Sequence, residues 1–292
     1  MINSILVQGF IFAIMSLGVY ITYKILDFPD LSVDGTFPLG AAITAILIVN
    51  GVNPYITVLV SFLGGTLAGM ITGIIHVKLK VRDLLAGIIM MTALYTVNLR
   101  IAGKANVTFT TKDTIVTHSI LKQLLPNANG KVITLIILVV IILILKILLD
   151  YYLKTRSGYL LRAVGDNQTL VTTLGKDMGL VKIMGLSLAN GLAALAGCIN
   201  AQASQFFDIS MGTGMVVIGL ASVIIGINVF KRFEWVKPTT AVIIGTIIYK
   251  TCWAIAIRQG LSANDLKLVT AVLFLIVLVA TQDKKRKVNK IA

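Results

Sequence analysis

Long apolar runs separated by short polar joins dominate the chain. Windows of about 20 residues, the length that crosses a bilayer as a helix, predict about nine spans. They run over 2–23, 34–50, 54–77, 83–101, 132–153, 181–202, 211–230, 237–257 and 265–281. Small residues recur inside them: Gly65, Gly69 and Gly73 have the spacing that lets helices pack closely in lipid. The fold class expected is an all-α polytopic membrane protein, a single transmembrane domain over 1–292 with a basic tail at 282–292. The start of the chain has no basic region and no cleavage site, so it reads as a retained first span.

Composition agrees with the pattern: 57% of residues are hydrophobic and 13% charged. Mean hydropathy is +0.93. The net charge of +14 suits loops facing the cytoplasm rather than nucleic acid. Joins and span ends on one side hold 17 basic residues and those on the other side 8, with Lys146 inside a span. The positive-inside rule then puts the N-terminus outside and the C-terminus and the segment 154–180 in the cytoplasm. Lys250 counts with the outer set, near a span end. Cys198 and Cys252 offer neither a disulfide framework nor metal spacing, and both read as small core residues. The long external connection 102–130 has a possible short helix over 119–125 and reads equally as a docking surface or a plain connector.

Two strings interrupt the apolar pattern in similar ways. Phe28-Pro-Asp-Leu-Ser-Val-Asp-Gly-Thr-Phe-Pro-Leu-Gly-Ala-Ala42 precedes a second span in which only 37–50 is clean helix. Part of 30–36 therefore lies at membrane depth, where irregular backbone needs protein or a water-filled cavity around it. Ser32, Asp34 and Thr36 are residues able to cap the helix start. Phe207-Asp-Ile-Ser-Met-Gly-Thr-Gly-Met215 opens a later span on the opposite side. Matching interruptions in opposite orientation suggest an inverted repeat, and in transporters they point to the solute path. The candidate path residues are Asp30, Ser32, Asp34, Thr36, Asn190 and Ser210; Asp30 and Asp34 read equally well as interfacial caps.

The polar segment from Lys154 to Asp177 is longer than a join requires. It predicts one short helix over 159–164, ended by Gly165 in a left-handed C′ position. Asp166 or Asn167 then caps a second short helix over 169–174, which stops at Gly175. The pattern fits a knob that docks into a partner, and equally an amphipathic hairpin resting on lipid headgroups.

The run Ser157-Gly-Tyr-Leu-Leu-Arg-Ala-Val-Gly-Asp-Asn167, with Gly175 beyond it, resembles the coupling loop of permease subunits in ATP-binding-cassette importers. The subfamily is that of branched-chain amino acids, ribose and related solutes, and the chain looks most like its branch for aromatic or other amino acids. The small-residue string 187–197 is similar to the span that follows that loop. Asp30-Leu-Ser-Val33 resembles a string of the sugar permeases, but Asp34 stands where those have Gly.

The resemblance implies an inverted-repeat importer permease, not an enzyme, in a bacterial cytoplasmic membrane. Two copies would form the pore in the lipid bilayer. A separate ATP-binding subunit would grip Gly158, Arg162, Ala163, Gly165, Asp166, Asn167 and Gly175, and an external binding lipoprotein would deliver the solute, an amino acid. The chain itself has no Gly-x₄-Gly-Lys-Ser/Thr loop, so ATP and Mg would act through the partner, with no cofactor, metal or catalytic site here. The alternative is an ion-coupled secondary transporter, which also fits broken helices. A membrane enzyme would need clustered catalytic groups, which this composition does not supply.

Overall fold

The computed structural model describes residues 2–115, 130–166, 177–233 and 235–259, with residues 268, 270–272, 274–276 and 279 beyond. Its helices are α1 (Ile2–Val19), continued by a π-helical stretch Tyr20–Ile25, then α2 (Val33–Val49), α3 (Pro54–Val77) and α4 (Asp83–Ala102). They continue as α5 (Gly130–Tyr152), α6 (Arg156–Asp166), α7 (Met178–Ser204), α8 (Met215–Phe230) and α9 (Pro238–Arg258). Two short strands, β1 (Asn106–Thr108) and β2 (Phe206–Asp208), pair antiparallel with Val107 opposite Phe207. The 3₁₀ turn Ile209–Gly212 leads from β2 into α8.

Among the described residues seven helical segments are long and apolar enough to cross a membrane, and α2 is a shorter apolar helix of 17 residues. The chain is thus an all-α, multi-pass membrane protein. The expected count of nine is not reached within the described residues, because the predicted last span falls mostly outside them. The possible helix at 119–125 also lies outside them.

Local chemistry sets several boundaries. Asn53 accepts from Tyr55 N at 2.9 Å, and Pro54 opens α3, a first-turn position that needs no N–H. Asp177 caps α7 by accepting from Gly179 N at 2.7 Å. Gly103 ends α4 in the left-handed conformation (φ 73°).

Helix α7 forms the spine. Glycines of two neighbouring helices reach its backbone: Gly65 of α3 meets Ala194 and the Asn190 carbonyl, Gly69 of α3 the Leu186 carbonyl and Gly40 of α2 the Ala194 carbonyl. The main buried cluster joins this spine to α1, with Ile14, Leu17, Ala189, Ala193 and Ala196 inaccessible. Large apolar side chains such as Leu59, Leu63, Leu67, Leu143, Ile147 and Leu148 stay exposed on α3 and α5, as a lipid-facing surface requires.

Ties at each end show which termini share a side. Gln202 near the end of α7 bonds to the Pro54 carbonyl, and β1 pairs with β2, so the α2–α3 joint and the ends of α4 and α7 lie together. At the other end Asp150 of α5 meets Lys237 and Thr239 at the start of α9. The described joins of the basic-rich set all lie at this second end. Lys250 does not belong to either end: it is 5% exposed and twelve residues into α9. Cys252 is exposed rather than a core residue, while Cys198 is buried.

Helix α6 departs from the sequence expectation. It begins at Arg156 and runs unbroken through Gly165 to Asp166. Gly165 does not have the positive φ of a C′ residue. Its role is close approach: a Cβ there would collide with the carbonyl of Ile25, where α6 crosses the π-helical end of α1. Asp166 lies within this helix rather than before the start of another. Asn167, Gly175 and the second short helix lie outside the described residues.

Candidate functional site

The two interruptions meet. Val33 begins α2, so the helix runs one turn further back than the clean stretch from Phe37 suggested. Pro38 sits inside it and has no N–H for the carbonyl of Asp34 four residues earlier. Gly212, at the end of the 3₁₀ turn, packs on that carbonyl and on the Pro38 ring, where any side chain would clash.

The Asp34 carboxylate faces the same way. It accepts from Gly214 N at 3.0 Å and from Val216 N at 2.8 Å, which caps the start of α8. A carboxylate at a helix N-terminus satisfies orphan donors and complements the dipole. Asp34 therefore caps the helix across from it rather than its own. Ser32, the N-cap residue of α2, makes no side-chain cap bond either. From this meeting point α2 runs toward the end that holds Pro54 and Gln202, and α8 runs toward the end that holds Lys237.

A second knot lies beside it. Asn190 of α7 accepts from Ser32 Oγ at 3.0 Å and Thr36 Oγ1 at 2.7 Å. Its amide nitrogen donates to Asp30 Oδ2 at 2.8 Å and to the Leu186 carbonyl at 3.1 Å. The other Asp30 oxygen accepts from Ser32 N at 2.8 Å. Asp30, Ser32, Thr36 and Asn190 are all buried. Every hydrogen-bonding position of the Asn190 amide is used. Four of the six candidate path residues thus saturate one another, and the half-buried Asp34 lies one turn away. Ser210 is exposed and turned toward Asp208, whose carboxylate accepts from its hydroxyl.

A third strap is Asn98 of α4, which the sequence offers, with Met90, Met91 and Tyr95, as path lining or, more readily, as helix packing. It is inaccessible and donates to the Gly35 carbonyl at 2.9 Å, leaving its own oxygen without a partner. Its only sequence signal was an amide in an apolar span. Among the described residues no group of three or more His, Cys, Asp or Glu could hold a metal ion. His76 is half-buried at the α3–α7 boundary, 2.9 Å from the Val81 carbonyl and 3.4 Å from Lys182 Nζ.

Of the candidate coupling residues, Gly158 and Gly165 pack inward. A Cβ at Gly158 would strike Leu153 and the Tyr152 carbonyl. Leu161 and Val164 are fully buried between them. Arg156, Tyr159, Arg162 and Asp166 are exposed, at spacings of three and four that place them on one side of α6, and Ala163 is half-buried.

Over residues 1–280 the chain matches the family described as branched-chain amino acid transport system, permease component. It is 44% identical over 274 residues to the tyrosine transport system permease protein of Clostridioides difficile, covering 94% of this chain and 89% of that protein. It is 34% identical to an uncharacterized protein of Rickettsia prowazekii, over 92% of this chain and 93% of that one. The ribose import permease protein of Escherichia coli is 26% identical over 77% of this chain and 65% of its own length. No solved structure matches the chain. Membership decides against an ion-coupled carrier and against an enzyme: the chain belongs to the branched-chain amino acid transport permease family and is the permease component of an ABC-type transport system.

Proposed function

We propose that this chain is the permease subunit of an ATP-driven importer of an amino acid, with an aromatic amino acid such as tyrosine as its solute. Among its relatives, the one named for tyrosine transport is 44% identical over nearly the whole chain, against 26% for the ribose permease. The partners are a separate ATPase subunit, which hydrolyses ATP with Mg, an extracytoplasmic binding lipoprotein and a second copy of the permease in the bilayer. The membrane is the bacterial cytoplasmic membrane, with the basic-rich end of the bundle inside and the N-terminus outside.

The observation that carries the coupling reading is the two-sided build of α6. One side is glycine and aliphatic and lies on the π-helical end of α1; the other presents Arg156, Tyr159, Arg162 and Asp166 to solvent. The ATPase reads the exposed stripe, together with Asn167 and Gly175. Force on α6 enters α1 at Ile25, and three residues further the chain reaches Phe28 and then Asp30. Through Asp30 and Asn190 it reaches α7, and through Asp34 it reaches α8. The knot of Asp30, Ser32, Thr36 and Asn190 and the junction of Asp34 with α8 are the elements that rearrange as the path opens, with Ser210 at its outer rim.

Arg162→Glu tests this without touching the packed side. Proteoliposomes holding the complete importer should lose tyrosine uptake by about tenfold or more, with the permease inserted at its normal level. Uptake equal to wild type rejects α6 as the docking element.

A further inference from the structure

Lys250 is a cation kept at membrane depth. It lies twelve residues beyond Pro238, about 18 Å along the axis of α9, near the middle of a hydrocarbon layer about 30 Å thick. Its Nζ is 3.6 Å from the centroid of the Phe12 ring and 4.9 Å from that of Trp253. Phe12 in turn stacks on Phe37, with ring centroids 6.0 Å apart and planes 6° from parallel. Phe37 directly follows Thr36. The ammonium therefore stands at the end of an aromatic stack that leads to the base of α2, beside the meeting point of the two interruptions.

Among the described residues the ammonium has no ion-pair partner; the two ion pairs of the bundle both belong to Asp150. An ammonium carries three donors, and a ring face satisfies none of them as an acceptor oxygen would. A ring returns only part of the cost of taking a cation out of water. A lysine whose sole task was packing would be replaced with profit by leucine or methionine. Snorkelling, the ordinary way out for lysine in a span, is not used: the residue is 5% exposed and its head lies on Phe12. Unused donors on a buried cation await an anionic oxygen. The flanking faces of Phe12 and Trp253 suit an apolar or aromatic group on the same molecule, and an ionisable group inside a transporter bundle ordinarily marks its cargo path.

We propose that Lys250 is a carboxylate-binding station for an amino acid in transit, with Phe12 and Trp253 bordering the solute's side chain. The site rests on the reading of the chain as an amino acid importer and adds to it a residue and a recognised group. It lies outside the Asp30–Asn190 knot and outside the coupling helix.

The test uses proteoliposomes that hold the complete importer and radiolabelled L-tyrosine. Lys250→Met keeps the length and apolarity of the stem and removes the charge. It should lower uptake about tenfold or more, with the melting temperature of the purified permease unchanged or raised, since a buried charge has been removed. Lys250→Arg keeps the charge and should retain at least about half of the wild-type rate. Uptake by Lys250→Met above that limit overturns the site. So does a fall in its melting temperature along with lost uptake, which assigns Lys250 to packing, and so does an equal loss in both variants, which makes shape rather than charge the requirement. A wild-type importer that takes up no L-tyrosine on ATP removes the proposed function and the station with it. Normal wild-type uptake with an indifferent Lys250→Met removes the station alone.

Discussion

Asn190 holds together segments that are far apart in the chain. Its amide joins Asp30, Ser32 and Thr36 of the first interruption to the spine helix α7. In a low-dielectric interior such a network is worth most when every position is filled, and each vacancy strands a desolvated group. Asn190→Leu keeps the volume and removes all four bonds, so it leaves the Asp30 carboxylate half-satisfied and the Ser32 hydroxyl without its partner, while Thr36 Oγ1 keeps its bond to the Ser32 carbonyl at 2.9 Å. We expect a loss of ~2–4 kcal/mol, read as a lower melting temperature of the solubilised permease. Ser32→Ala, which removes one bond of several, should cost ~1 kcal/mol. Equal melting of Asn190→Leu and wild type would show that the knot does not hold α2 to α7. The residue type was legible beforehand at Asp30, Ser32, Thr36 and Asn190, because polar groups in apolar spans stand out. That they bond to one another was not, since 154 positions separate Thr36 from Asn190.

Among elements, the pair α5 and α9 depends on one carboxylate. Asp150 accepts from Lys146 and Lys237, each at 3.2 Å, and from Thr239 Oγ1 at 2.6 Å. It stands six residues before α6, so it braces the root of α6 against the helix that carries Lys250. Lys237 is 55% exposed and its share of the brace is screened by water and salt. The bond to Thr239 and the pair with Lys146 are better shielded. Asp150→Ala should cost ~1–2 kcal/mol and loosen α9 at its start, seen as faster backbone hydrogen exchange over 238–242. Unchanged exchange would mean that α5 and α9 are held by apolar contact alone. The Lys146–Asp150 pair was readable from its four-residue spacing; the recruitment of α9 to it was not. Gly165 teaches the same lesson in reverse. A glycine near the end of a short helix has two common uses, a left-handed stop and a close contact, and only the position of Ile25 shows which one applies here.

For the whole molecule, the joins fall at two ends, and the described basic-rich ones share an end with α6. With Lys250 withdrawn into the bundle, the outer set loses one member and the charge bias grows. The expected outcome is specific. In a background with Cys252→Ser, which removes the exposed native thiol, a cysteine at Asn53 should react with an impermeant maleimide in intact cells. A cysteine at Lys80 should react only after the membrane is opened. The opposite pattern would invert the bundle and place α6 outside, away from any source of ATP.

What the sequence determined alone is what depends on short range. Runs of apolar residues set the helices, because backbone polar groups in lipid must be satisfied within the segment. The bias of Lys and Arg set the expected sidedness, and the motif over 157–167 carried the family resemblance. The tertiary structure decided which polar residues meet. Asp34 could cap its own helix or another, and packing of Gly212 on Pro38 brought α8 to it. Lys250 could snorkel or stay, and Phe12 on α1 keeps it inside. Those outcomes rest on contacts between segments distant in the chain, which no local pattern of residues encodes.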